Sequence, residues 1–120
     1  MTTVPGNEAR IRFEGVSSSA YNIWGGTQAN FLVSLPGYNA REVALFLNDP
    51  SGEFLAERLG VPDTPEFRAR AAEAAGMIWI GRLLAGEGHF APTITVSRAM
   101  LEQHPDFLAE LEAALKASVD

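Results

Sequence analysis

Residues able to perform acid–base or metal chemistry are few in this sequence. It has two histidines, His89 and His104, and no cysteine. The lack of cysteine excludes thiol nucleophiles, disulfides and thiolate metal sites, and the two histidines lack metal-ligand spacing. His89 lies in the glycine-rich segment GEGHFAP, beside Glu87, and loops often position reacting groups. His89 is thus the one candidate for acid–base catalysis, and neither a cofactor nor a metal is predicted.

Two arginines could supply a different chemistry, the binding of an anion. Arg82 is the only charge in the apolar run MIWIGRLLA, so its guanidinium must reach water or pair with a carboxylate such as Glu73. In a pocket it would anchor an anion, with Arg98 as a second anchor. The sequence has no P-loop, dinucleotide-binding glycine run or Gly-x-Ser-x-Gly elbow. We therefore expect a structural ion pair at Arg82 and keep the anion anchor as the alternative.

The N-terminal part of the chain must position any site through β-strands. ARIRFEG alternates apolar and charged residues, as a half-buried strand does, and Gly15 permits a turn after it. SSSAYNIW and TQANFLVS then flank Gly25-Gly26, where both turn residues could adopt positive φ. These patterns predict a three-stranded antiparallel meander over about residues 9–34.

The predicted hairpin has two unlike faces. Its register pairs residue 22 with 29, 20 with 31 and 18 with 33. One face should face the core, and it carries Trp24, Ala20, Ala29, Phe31 and Val33 together with Asn22, Ser18 and Thr27. The other face mixes aromatic, amide and aliphatic groups without charge: Tyr21, Ile23, Gln28, Asn30 and Leu32. Such a mixture is typical of protein-recognition sites, because these side chains give contact area and adaptable hydrogen bonds. The plainer interpretation is a polar outer sheet face covered by a helix.

Capping residues and prolines divide the remainder into helices. Asn39 with Glu42 resembles a capping box, and Thr64 before Pro65 places a capping residue ahead of a proline. Asp49-Pro50 and His104-Pro105 repeat this arrangement, and Ser97 can cap a short helix. The predicted helices span about residues 40–48, 50–59, 65–84, 98–103 and 105–117, with a short strand an option at 93–96.

The longest predicted helix contains a conflict. Gly76 and Gly81 weaken it, and residues 77–80 could instead form a strand. We favour a continuous helix because residues 65–75 already form an amphipathic start. In that helix, Ala72 and Gly76 lie one turn apart and would let another element approach closely.

Composition limits the class of protein. The 120 residues suit one domain over 1–120, with residues 1–8 loosely ordered, and the net charge of −6 argues against nucleic-acid binding. No signal peptide or membrane-length apolar run is visible, which favours the cytoplasm. Arginine outnumbers lysine eight to one, which suggests a bacterial or phage genome.

Together these features predict an α+β fold: the N-terminal meander followed by four to five helices, including the long apolar helix at about 65–84. The function they favour is a small acidic interaction module without catalytic activity, such as an inhibitor, an immunity or anti-defence factor, or an assembly subunit. It would bind a protein partner, or a second copy, through the N-terminal sheet. The alternative is a ligand-binding domain or enzyme whose pocket, between sheet and long helix, uses Tyr21, Arg82 and His89.

Overall fold

The described parts of the chain form one four-stranded sheet and four helices. The computed structural model describes residues 10–18, 25–34, 39–85 and 92–119. The elements are β1 Arg10–Ser18, β2 Gly26–Ser34, β3 Arg41–Asn48, α1 Asp49–Leu59, α2 Pro65–Leu84, β4 Thr93–Val96, α3 Arg98–Gln103 and α4 Pro105–Val119. The strand order is β1-β2-β3-β4, antiparallel except that β4 runs parallel to β3. The predicted α+β class is confirmed, and the sheet is mixed and four-stranded.

The first strand continues through the position where a turn is predicted. β1 extends past Gly15 to Ser18, and its register against β2 shifts between Phe13 and Gly15. Gly15 has a φ of 126°, a conformation that glycine adopts without steric cost. The predicted turn is wrong: Gly15 belongs to an irregularity within one long strand, of the kind a β-bulge produces.

The predicted register of the hairpin is also wrong. β2 pairs with β1, so that Thr27 lies opposite Ser18 and Val33 lies opposite Ile11. Gly26 is the first residue of β2 and lacks positive φ, whereas Gly25 has a φ of 76°. A two-residue Gly25-Gly26 turn therefore does not form, and residues 19–24 lie outside the described part.

Residues 41–48 form a strand, so the predicted helix over 40–48 is wrong. Burial alternates along β3, with Val43, Leu45 and Leu47 buried and the intervening residues more exposed. Both edges of β3 are paired, with β2 on one side and β4 on the other. The backbone of β3 is paired with β2 along its whole length and with β4 at residues 44–47, and this pairing outweighs the helical preference of its Glu, Ala and Leu residues.

The other predicted helices are present with small changes at their ends. α2 matches the predicted 65–84, and residues 77–80 are helical. Thr64 accepts a hydrogen bond from the Phe67 amide at 3.1 Å, and Ser97 accepts one from the Met100 amide at 3.1 Å. These two caps are confirmed. Helix α1 instead begins at Asp49, after an Asn48 that makes no side-chain cap bond.

Helix α2 packs directly on the sheet through a position without a side chain. A Cβ on Gly76 would lie 2.2 Å from Cζ of Phe31, so only glycine allows this approach. Ala72 and Phe31 are fully buried nearby in the core. The apolar core therefore lies between the helices and one sheet face, which includes Ala29, Phe31, Val33, Val43, Leu45 and Leu47.

Candidate functional site

The sheet face opposite the core, called the outer face below, holds two of the predicted partner-binding residues. By strand alternation it carries Arg12, Gln28, Asn30, Leu32, Glu42, Ala44, Phe46, Thr93 and Thr95. The inner residues of β2 and β3 are buried beneath the helices, whereas the outer residues of the same strands are half-buried or exposed. Within the described residues, the helices thus pack on the inner face.

The two amides of the outer face form a pair along β2. Nε2 of Gln28 donates to Oδ1 of Asn30 at 2.8 Å, and both side chains are half-buried. Beside them, the Phe46 ring lies over Gly26, where a Cβ would come within 2.6 Å of the ring. The amides and the ring therefore lie side by side on the outer face, since Gln28 is paired with Phe46. The other predicted partner residues, Tyr21 and Ile23, lie outside the described part.

A hollow of about 270 Å³ opens on the outer face beside this amide pair. Its lining residues are Glu14, Gln28, Asn30, Phe31, Glu42, Val43, Ala44 and Pro92. Asn30 lies opposite Gly15 on one side and Ala44 on the other, and neither neighbour has a long side chain. The small neighbours lower the surface around Asn30, which explains the depression there.

The walls of the hollow come from three strands and a backbone contact. Glu14 lies at the irregularity of β1, between Phe13 and Gly15, and Glu42 lies near the start of β3. On the far side, the Ala44 amide donates to the Pro92 carbonyl at 2.9 Å. The sheet thus places two carboxylates around a floor of amide groups.

The charges at the hollow are negative, with one of them paired. Nη2 of Arg12 lies 3.1 Å from Oε2 of Glu14, and the Arg12 side chain is largely exposed. Glu42 makes no ion pair with any described residue. A cation placed in the hollow would therefore meet the Glu42 carboxylate, which pairs with no described residue, and the Glu14 carboxylate, which already binds arginine.

Arg82 lies away from the sheet, in a smaller hollow between α2 and the start of α4. Its Nη2 donates to Oε2 of Glu110 at 2.8 Å, and its guanidinium carbon lies 5.7 Å from the Phe107 ring centroid. Trp79, Leu83 and His104 complete this hollow of about 140 Å³. The expected ion pair is present, with Glu110 as partner in place of Glu73.

Arg98 occupies a third environment. Its Nε donates to Glu102 at 2.8 Å, one turn along α3, and its guanidinium carbon lies 4.9 Å from the Phe54 ring centroid. Arg82 and Arg98 therefore contact different carboxylates and different rings, and the structure does not join them into one anion site. His89 lies outside the described part.

Among the described residues, the most extensive ionic cluster surrounds Arg68, which the sequence patterns do not single out. Its Nε and Nη2 donate to the two carboxylate oxygens of Asp63 at 2.7 and 2.6 Å, and Nη1 donates to Asp49. The hydrogen bond from Arg68 lowers the pKa of Asp63, and the same bond raises the pKa of Arg68. Each guanidinium nitrogen donates to a carboxylate, either Asp63 just before α2 or Asp49 at the start of α1, so the cluster is a structural clamp between the two helices.

The sequence carries only a weak signal for this cluster. Asp63 and Arg68 are five residues apart, across the start of α2, and Asp49 lies in a different helix. Neither spacing matches a helical pair at i+3 or i+4. The tertiary packing of α1 against α2 brings the three together.

Two further properties of the described residues bear on function. None of their acidic and histidine side chains gather into a group of three that could hold a metal ion. Among the same residues, no helix combines the length and apolar character needed to cross a membrane.

Comparison of the chain with known proteins identifies no relative. No family model, curated protein or solved structure matches the chain.

Proposed function

We propose that this protein is a small acidic interaction module that binds a protein partner through the outer face of its sheet. The observation that supports this most is the half-buried amide pair of Gln28 and Asn30, which lies on the side away from the helices, beside a hollow. Amide and aromatic groups give directional hydrogen bonds and contact area with little loss of side-chain freedom. The proposed role is non-catalytic, as an inhibitor, an immunity or anti-defence factor, or an assembly subunit of a bacterium or phage, in the cytoplasm.

The edges of the sheet are less suited to this role than its face. β1 forms one edge of the sheet, and its register against β2 shifts near Gly15. Irregularities of this kind interrupt the regular row of backbone hydrogen-bonding groups and so discourage pairing with a further strand. The other edge strand, β4, has four residues and follows Pro92. Short edge strands near a proline give a further chain few backbone groups to bind. Side-chain recognition by the face therefore fits better than strand addition.

The charge of the chain favours a different protein over a second copy. The net charge is −6, so two copies repel each other at low ionic strength. A basic surface would gain from the same charge through faster and stronger association. We therefore propose a basic protein partner, with self-association as the competing outcome and no role for nucleic acid or membrane.

A variant on the outer face tests the proposal. Thr95 is exposed on β4 opposite Phe46, so Thr95→Arg adds bulk and positive charge to the outer face without filling the core. Ala109→Arg makes a similar change at an exposed position of α4 and serves as the control. Tagged forms would be expressed in the native host, and their partners isolated and quantified by mass spectrometry.

We expect the wild type and Ala109→Arg to retain one stoichiometric partner, and Thr95→Arg to lose at least about tenfold in affinity for it, since steric and charge conflicts at interfaces cost several kcal/mol. Light scattering of the purified protein measures self-association separately. Retention of the same partner by Thr95→Arg, or recovery of the protein alone from the host, would contradict the proposal.

The alternative, a ligand-binding domain or enzyme, has one observation in its favour. Arg82, Trp79 and His104 line a common hollow of about 140 Å³, with aromatic, cationic and imidazole groups together. Its volume is well below the roughly 300 Å³ at which pockets for drug-sized ligands begin. Glu110 also occupies the Arg82 guanidinium. Both facts make this hollow the weaker candidate.

A further inference from the structure

We propose that the hollow on the outer face receives the guanidinium group of an arginine side chain presented by the protein partner. This inference rests on the proposed function and specifies the chemistry by which the outer face recognises its partner. It is drawn from the shape of the hollow, its hydrogen-bond acceptors and its charge.

The shape suits a single side chain. At about 270 Å³ the hollow lies just below the range of pockets for drug-sized ligands, which begins at roughly 300 Å³. It opens on a sheet face, where a partner surface can approach, and its lining includes Asn30 and Ala44, with Gly15 opposite Asn30 on the other side. Because Gly15 has no side chain and Ala44 has only a methyl group, a depression is left around Asn30.

The acceptors suit a planar cation with several N–H groups. Gln28 donates from its amide nitrogen to Asn30, so the Gln28 side-chain oxygen keeps its acceptor capacity. The carboxylates of Glu14 and Glu42 supply further acceptors around the rim. A guanidinium has five N–H donors in a fixed fork, which can reach a carboxylate and an amide oxygen at once. A lysine ammonium is compact and has no such plane.

The charges favour a positive occupant from a different protein. Both charged residues that line the hollow are glutamates, and Glu42 has no ionic partner among the described residues. Glu14 already binds Arg12 through one carboxylate oxygen, at 3.1 Å, which shows an arginine accepted at this rim. The net charge of −6 repels a second copy and attracts a basic partner, so a different protein is the better source of this arginine.

The test uses the full chain and small probes of known structure. The ¹⁵N-labelled protein is titrated with N-acetyl-arginine methylamide and, separately, with the citrulline analogue, which has nearly the same shape but no charge. Amide signals of Asn30 and Ala44 and the side-chain amide of Gln28 report binding by NMR. We expect millimolar binding of the arginine probe, at least about tenfold tighter than citrulline, because the ionic hydrogen bonds are the stronger ones.

A matched pair of variants locates the interaction. Glu42→Gln removes the unpaired rim charge and should weaken the arginine probe about tenfold, whereas Glu57→Gln, at an exposed position of α1, should leave it unchanged. Both positions are exposed, and thermal unfolding of each variant checks that the fold is intact. Equal binding of arginine and citrulline, equal effects of the two variants, or signal changes confined to other residues would overturn the inference.

Failure of this inference is distinguishable from failure of the proposed function. If Thr95→Arg loses the partner but the arginine probe does not bind, the outer face remains a recognition site and the guanidinium inference falls. If the probe binds as expected while Thr95→Arg keeps the partner, the hollow binds a guanidinium group but the partner does not use the outer face, so the proposed function fails and the assignment of that arginine to the partner falls with it. Shifts of the same signals that grow with protein concentration alone would assign the hollow to a second copy and overturn the inference of a different partner.

Discussion

Replacing Gly76 by alanine should destabilise the protein, although the same change in an isolated helix is stabilising. Alanine is favoured over glycine inside a helix by up to about 1 kcal/mol. At Gly76, however, the new Cβ would lie 2.2 Å from Cζ and 2.3 Å from Cε2 of Phe31. Ordinary contacts begin at 3.4 Å, so the ring or the helix must move by more than about 1 Å.

The magnitude follows from how tightly Phe31 is held. Its side chain is fully buried, and its ring lies 5.5 Å from the ring of Phe13, so it cannot rotate into open space. Overpacking of a well-packed core costs about 1–3 kcal/mol. The higher helix propensity of alanine relative to glycine offsets up to about 1 kcal/mol of that cost. We expect a net loss of about 1–2 kcal/mol in the free energy of unfolding, or roughly 4–8 °C in the unfolding midpoint for a domain of this size.

The same helix provides the control. Gly81 has no atom within 4 Å of the position that a Cβ would occupy, so Gly81→Ala should raise stability by up to about 1 kcal/mol. Urea unfolding followed by circular dichroism gives both values. In a double-mutant cycle, Phe31→Leu should offset part of the cost of Gly76→Ala. A stabilised Gly76→Ala variant would refute the close approach of α2 to the sheet.

Two further predictions concern the start of α2. Asp63→Asn should cost about 1 kcal/mol at neutral pH, because it breaks a bidentate pair with Arg68 that is only partly shielded from solvent. The Asp63 pKa is lowered in the folded chain, so this stabilisation is complete above about pH 4 and is lost as the pH falls through the lower folded value. Urea unfolding of both proteins from pH 7 to pH 2 measures this, and an equal difference at both ends would be inconsistent with it. Thr64→Ala should lower the free energy of unfolding by about 1 kcal/mol, because it removes the acceptor for the Phe67 amide. Thr64→Ser keeps the hydroxyl and should therefore retain most of that stability. Equal losses in the two variants would argue against the cap.

The helical half of the chain was largely predictable because its signals are local. A helix start needs a capping side chain three residues from a backbone amide, and the caps at Thr64 and Ser97 have this geometry. Gly76 also gave a local signal. A residue without a side chain on an apolar helix indicates that another element packs closely against it. The partner, Phe31, lies 45 residues earlier, and no local pattern identifies it.

The sheet was harder to predict because strand pairing is not local. REVALFLN contains good helix formers behind a capping-box-like start, and Phe46 and Ala44 interrupt a clean alternation of apolar and polar residues. Its two neighbours, β2 and β4, decide that it is a strand, and β4 lies about 50 residues further along the chain. Similarly, the shift at Gly15 appears only when β1 is set against β2.

By itself, the sequence determined the α+β class, the course of α2 and the inner side of β2, because helix caps and apolar periodicity act over a few residues. It also marked Gln28 and Asn30 as lying opposite the core residues of their strand. Only the tertiary structure decided what surrounds those amides. The hollow exists because Gly15 and Ala44, from two other strands, flank Asn30. The Arg68 clamp exists because α1 and α2 pack together. Both depend on register and helix packing, which residues far apart in the chain must set jointly.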